Sequence, residues 1–251
     1  MSIKYKINPK YEKDFKEFLL NIKDHFKSNS ETIHKARNEL KIINHTGLDT
    51  VVKAFKVPNI VNQIVYAYFR GSKAMKSYRN GMRLNELKVE TPEPIGYIEF
   101  YESGLLKESF FISLKQDYDF TMAHIRDDQP EYKNEVLEQF ARFSYDVHQK
   151  GIWHSDYSGG NVLVQKNDDK YLFSLVDINR MKFLDINGYD GLENFNKFWF
   201  NEEDLTTIGK NYAKVAKLDE NKAITEIIEH DRKLKEFVEN RRKWKKRILG
   251  K

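Results

Sequence analysis

One stretch of the chain, GIWHSDYSGGNVLVQKNDDKYLFSLVDINR, concentrates its chemistry. His154 is followed at a one-residue gap by Asp156, then after four residues by Asn161, and Asp177 ends the next apolar run. Two carboxylates and a carboxamide in that order suit phosphoryl transfer. One carboxylate orients an acceptor hydroxyl and takes its proton. The carboxamide oxygen and the second carboxylate hold Mg²⁺, a hard cation that takes oxygen ligands, against phosphate. Read singly, the same residues have plainer roles. Asp156 and Asn161 lie in a glycine-containing polar loop where turn formers are common, and Asp177 could cap the next element. Their order, and their placement between apolar elements, favour the chemistry. A cation for the phosphates is offered by Lys53 in Val51-Val52-Lys53-Ala54-Phe55. In a strand it points opposite Val52 and Ala54. Lys56, three residues on, is its rival.

Several elements must position these groups. Tyr11, Phe15, Phe18, Leu19, Ile22 and Phe26 recur at helical spacing after Pro9, and Asn29-Ser30 ends that helix. Three β-branched runs follow at 31–36, 39–43 and 49–55, separated by Arg37-Asn38 and by the turn formers of 44–47, with Pro58 closing the third. A helix is expected over 73–87, stopped by Thr91-Pro92-Glu93-Pro94, and two more strands at 95–100 and 108–114. Residues 1–116 therefore read as a lobe with an N-terminal helix, a five-stranded, mainly antiparallel sheet and one inserted helix. Residues 117–251 read as a mainly helical lobe. Its first helix follows Pro130, runs to about Lys150 and turns Val136, Phe140, Phe143 and Val147 inward. Then come the polar loop, a hairpin around Asn167-Asp168-Asp169-Lys170, and helix beyond Glu202. Strands first and helices later give an α+β architecture.

The His-x-Asp-x-x-x-x-Asn pattern with a strand-terminal Asp resembles the catalytic loop of the protein-kinase-like fold. More narrowly, the chain resembles the bacterial lipopolysaccharide kinases that act on Kdo and heptose. It shares their Val51-Val52-Lys53 strand, the Thr91-to-Pro94 turn and Asp177-Ile178-Asn179-Arg180 in place of Asp-Phe-Gly. The resemblance covers roughly residues 31–185. It implies a two-lobed fold, with an antiparallel sheet in the N-lobe and a mainly helical C-lobe. By position it implies Asp156 as catalytic base, Asn161 and Asp177 as Mg²⁺ ligands and Lys53 on the ATP phosphates. His154 would support the loop, and the chain after Leu114 would be the hinge that holds adenine. The implied cofactors are ATP and Mg²⁺, and the implied acceptor is a hydroxyl of a lipopolysaccharide core sugar.

The chain departs from the pattern in places. The 35–38 turn, where a glycine-rich nucleotide loop is expected, has no glycine, and Arg37 offers phosphate a charge instead of backbone. Arg79 falls where a helix glutamate should face Lys53, Glu86 is late, and Ser158 replaces the catalytic-loop lysine. No activation-segment signature follows Arg180, which argues against a regulated protein kinase. The rival readings keep the fold. One phosphorylates a protein or small metabolite; the other is a pseudokinase serving as an interaction module.

Composition narrows the rest. Lys plus Arg is 43 against 38 Asp plus Glu over 251 residues, a net charge of +5, too small an excess to argue for nucleic acid. With no cysteine there is no disulfide, thiolate metal site or cysteine nucleophile. The scattered histidines offer no zinc spacing. No signal-peptide core and no run of about 18 apolar residues is present, so a cytoplasmic protein is expected, or one peripheral at the inner face of the inner membrane. The basic run 241–247 belongs to an amphipathic stretch with Ile224, Ile227, Leu234, Phe237, Val238 and Ile248. It reads as a helix packed on its lobe or as a contact with an anionic membrane surface.

Overall fold

Strand β1 (Ser2–Ile7) is an addition to the five strands expected. It pairs antiparallel with β5 (Pro94–Glu102), Ser2 opposite Tyr101 and Ile7 opposite Gly96. All of it but Ile7 is exposed. With no buried face it has no apolar alternation for a sequence reading to find, and its lysines guard an open sheet edge. The computed structural model describes residues 2–29, 32–35, 38–55 and 71–249. The expected roles of Arg37, Lys56 and Pro58 lie outside the described residues.

Strands β2 (Thr32–Lys35), β3 (Asn38–His45), β4 (Leu48–Phe55) and β6 (Leu105–Leu114) complete a six-stranded sheet. Its order is β1-β5-β6-β4-β3-β2, antiparallel throughout. Thr46 and Gly47, at φ 51° and 81°, make the tight β3–β4 turn whose hand matches strand twist.

The N-terminal helix forms in two pieces, α1 (Glu12–Leu20) and α2 (Ile22–Ser28), after a 3-10 turn at Pro9–Tyr11. At the break the Glu17 carbonyl accepts both the Asn21 backbone N–H (3.0 Å) and the Asn21 side-chain amide (3.1 Å). Tyr11, Phe15, Phe18, Leu19 and Ile22 pack with Val52, Ile98, Phe100, Phe110 and Ile112. Strand alternation sends Phe55 and Phe111 to the other face, where they meet Ala74 and Tyr78 of α3 (Lys73–Glu86). Ser72 caps that helix by accepting from the Met75 N–H (3.0 Å). Lys53, two residues before Phe55, shares this second face.

These elements form one unit, Met1–Asp117, and the short segment Asp177–Arg180 belongs to it by its contacts. The second unit is Tyr118–Val176 with Met181–Lys251. It contains β7 (Phe120–Thr121) and α4 (Met122–Asp128), a short helix not foreseen, then α5 (Lys133–Gln149). Val136, Phe140 and Val147 of α5 are buried as expected, and Phe143 is half-buried. Strand β8 (Ile152–His154) pairs with β11 (Met181–Phe183). Strands β9 (Val162–Asn167) and β10 (Lys170–Leu175) form the expected hairpin, and β7 adds to its β9 side. A 3-10 stretch, Gly188–Phe198, leads to α6 (Glu202–Ala216) and α7 (Glu220–Leu249). The core is aromatic: Phe140 lies 5.1–5.7 Å, ring to ring, from Tyr157, Phe173, Phe195 and Phe198.

Helix α7 packs on this core only through its first half. Ala223 and Ile227 are buried and Ile224, Leu234 and Val238 half-buried, while Phe237, Trp244 and Ile248 are exposed. The packed face expected of its basic end therefore does not form. Among the described residues no helix is long and apolar enough to cross a membrane.

Candidate active site

Strand β8 ends at His154, and the loop that follows is built around its ring. His154 is buried. Its Nδ1 accepts from the Asp156 backbone N–H (3.1 Å), so its Nε2 carries the proton and donates to the Val176 carbonyl (2.9 Å). The ring stacks on Tyr157 at 5.8 Å, and Tyr157, wholly buried, hydrogen bonds the Ser144 hydroxyl (2.8 Å). Asn161 ties the loop from its far end. Its Nδ2 donates to the Asp156 carbonyl (2.8 Å) and its backbone N–H to the Ser158 carbonyl (2.9 Å). A β-carbon at Gly159 would stand 2.8 Å from the backbone of Ala123, so only glycine lets the loop lie this close to the start of α4. With the backbone so fixed, the Asp156 carboxylate and the Asn161 amide oxygen take no hydrogen bond among the described residues. His154 is thus a supporting residue, as its position implied.

The loop has a second support that the sequence reading did not find. Asn194 Nδ2 donates to the His154 carbonyl (3.0 Å), and Asn194 Oδ1 accepts from His148 Nε2 (3.3 Å). His148 Nδ1 in turn accepts from the Tyr212 hydroxyl (3.0 Å). Burial pushes the His148 pKa down to about 4, so the ring is neutral and relays no charge. Lys197 Nζ donates to the Ser155 carbonyl. It brings a cation to a loop that has Ser158 where a lysine was sought. Both come from the 188–198 segment, whose 3-10 path has neither strand nor α-helical periodicity.

In the first unit Lys53 Nζ meets Asp177 Oδ1 at 2.6 Å, with both side chains largely buried. Asp177 has φ 54°, the left-handed region that costs a non-glycine residue on the order of 1 kcal/mol. Its neighbours hold it there. Asn179 Nδ2 donates to Asp177 Oδ1 (2.7 Å), and Asn80 Nδ2 of α3 to the Ile178 carbonyl (2.6 Å). The Asp-x-Asn spacing thus has a local reason: the amide steadies the carboxylate two residues back. No α3 carboxylate serves Lys53. Glu86, the only acid of that helix, pairs with Arg83 (3.0 Å), and Arg79 is exposed.

The four residues singled out from the sequence thus stand as two pairs: Lys53 with Asp177 in the first unit, Asp156 with Asn161 in the second. The Asn161 carbonyl accepts from the N–H of Val176, the residue before Asp177. The donor chemistry fits Mg²⁺, which takes carboxylate and carboxamide oxygens and completes its shell with water and substrate phosphate. Asp177 carries such a carboxylate in the first unit, and Asn161, its nitrogen turned to Asp156, carries such a carboxamide oxygen in the second.

A sheet lobe carrying a lysine–aspartate pair and a helical lobe carrying a His-x-Asp-x-x-x-x-Asn loop define a kinase of protein-kinase-like fold. Among solved structures the chain is similar to WaaP in complex with acyl carrier protein, with TM-score 0.60 and 14% identity over 92% of this chain and 99% of that one. At that identity the likeness is one of fold. The chain belongs to the lipopolysaccharide kinase (Kdo/WaaP) family, whose model matches residues 56–218, and it is a phosphotransferase. It is also similar to a Rio2 kinase–ADP/Mg²⁺–phosphoaspartate complex from Chaetomium thermophilum (TM-score 0.49, 13% identity, 85% of this chain and 66% of that one). A third similar structure is the PknI kinase domain of Mycobacterium tuberculosis (TM-score 0.40, 14% identity, 76% and 75%). A search of the curated proteins finds no match.

Proposed function

We propose that the protein transfers the γ-phosphate of ATP, with Mg²⁺, to a hydroxyl of a lipopolysaccharide core sugar. The observation that carries this reading is the Asp156 carboxylate: it takes no hydrogen bond among the described residues, in a loop whose backbone is tied on both sides. A carboxylate so held is positioned to orient an acceptor hydroxyl and receive its proton. Lys53 would bind the phosphates of ATP, and Asp177, steadied by Asn179, and Asn161 would each supply an oxygen ligand to Mg²⁺. Bound ATP and Mg²⁺ supply the phosphoryl group and the charge that neutralises it. The backbone after Leu114, where β6 ends and the first unit gives way to the second at Asp117, is the proposed adenine hinge. The protein's contribution is positioning and fixed charge rather than covalent chemistry. The family match supports the sugar acceptor over a protein one.

The test is phosphate transfer from γ-labelled ATP to a panel of core oligosaccharides, with and without Mg²⁺, beside protein and small-metabolite acceptors. Mg²⁺-dependent labelling of a core sugar is expected. Mg·ATP binding without transfer to any class would favour the pseudokinase instead.

A further inference from the structure

The second half of α7 presents two chemistries to solvent. From Glu239 to Ile248 every side chain is exposed. Arg241, Arg242, Lys243, Lys245, Lys246 and Arg247 crowd this stretch, and among the described residues only Lys243 of these has an acidic partner, Glu239 at 2.7 Å. Phe237, Trp244 and Ile248 are 62%, 62% and 59% exposed. At about 100° per residue these three fall within an arc of about 40°. That arc is turned roughly 80° from the line of Ala223, Ile227 and Asp231, which the lobe buries. The exposed stripe is therefore a separate face and not the core face run past the end of the lobe. Arg241 and Lys245 flank it on one side and Arg247 on the other.

An apolar stripe of this make-up bordered by cations is what a helix needs to lie in a membrane interface. Indole and phenyl rings sit at the headgroup boundary, an aliphatic side chain goes deeper, and arginines and lysines stay with lipid phosphates. Nucleic acid would use the cations, but Ile248 has no ring face on which a base could stack. We propose that this end of α7 binds the surface of an anionic phospholipid bilayer through Phe237, Trp244 and Ile248, with the 241–247 cations over the phosphates. The inference does not depend on the phosphotransfer reading, and vesicle binding without turnover would separate the two.

The test is co-flotation of the full chain with vesicles of mixed phosphatidylglycerol and phosphatidylcholine, and with phosphatidylcholine vesicles alone. Binding should favour the anionic vesicles by about tenfold or more and weaken as salt rises. Joint replacement Phe237→Ser, Trp244→Ser and Ile248→Ser should abolish flotation while circular dichroism and melting temperature stay those of the parent. Neutralising Arg241, Arg242, Lys245 and Lys246 to Gln should remove the anionic preference. Failure to float with anionic vesicles would overturn the proposal. So would undiminished flotation of the triple serine variant, a parent dimer that the triple variant dissolves, or RNA binding by the parent that it retains.

Discussion

Lys53 Nζ lies 2.6 Å from Asp177 Oδ1, and this ion pair takes the place of the lysine–glutamate pair that kinases build between strand and helix. The carboxylate that neutralises the proposed phosphate-binding lysine is thus the proposed metal ligand itself. The same residue answers to both, so changes at either partner should be felt in nucleotide binding.

Asp177→Asn should keep the fold at a lower melting temperature: asparagine tolerates the left-handed conformation and still accepts from Asn179, but Lys53 loses its counter-ion. It should weaken Mg·ATP binding by about tenfold or more, since it removes the anionic ligand of a hard cation. Isothermal titration with and without Mg²⁺ reads this. Equal affinity in parent and variant would show that Asp177 is not the ligand.

Asp156→Asn should leave Mg·ATP affinity unchanged and lower turnover by roughly 10²- to 10⁴-fold, the range for a positioned acid–base group. Steady-state kinetics with a labelled acceptor separate the two effects. Undiminished turnover would leave the reaction without its proposed base.

Lys197→Met and Asn194→Ala each remove a donor to a carbonyl of the Ser155–His154 turn. Both should lower kcat more than they change the KM for ATP. Asn194→Ala should also lower the melting temperature, because it strands buried groups on His148 and His154. If Lys197→Met loses stability but no turnover, Lys197 is only a structural tie.

His148 gives the protein an acid-side weakness. Its folded pKa of about 4 lies below the ordinary histidine value of 6.5, so between those values the unfolded chain binds the extra proton. Stability from this group is full above about pH 6.5 and is lost as pH falls towards 4, by on the order of 3 kcal/mol in all. Melting temperature followed across that window should fall more steeply for the parent than for His148→Gln. Parallel curves would rule the histidine out as the cause.

Phe140→Ala should destabilise by about 3–5 kcal/mol, since four aromatic rings close around that side chain and cannot all collapse into the space. Urea unfolding would measure it.

What was legible in the sequence follows from periodicity and from local motif. The aromatic stripe after Pro9, the Thr46-Gly47 turn, α3 and the β9–β10 hairpin all show it. So do His154, Asp156 and Asn161, whose bonds to one another span a handful of residues. Strand β1 escaped because an edge strand exposed on both faces has no alternation. The α1–α2 break escaped because Asn21 interrupts the helix without interrupting its apolar spacing. Asn194 and Lys197 escaped because they reach the loop from 40 and 42 residues away, through contacts that exist only after folding. The pairing of Lys53 was sought on α3 and found 124 residues off, beside the motif already in hand.

The passage of Asp177–Arg180 into the first unit bears on how this chain is made. A ribosome that has released residues up to Asp117 has delivered the whole six-stranded sheet and α3, but not the partner of Lys53. The Asn80 amide of α3 lacks the Ile178 carbonyl, and Gly81 lacks the Ile178 side chain that packs beside it. A partly buried ammonium without its counter-ion destabilises what holds it. The first unit therefore matures late, after the α5 helix and the His154 loop have left the exit tunnel. A fragment cut at Asp117 would be an incomplete lobe and not an independent domain.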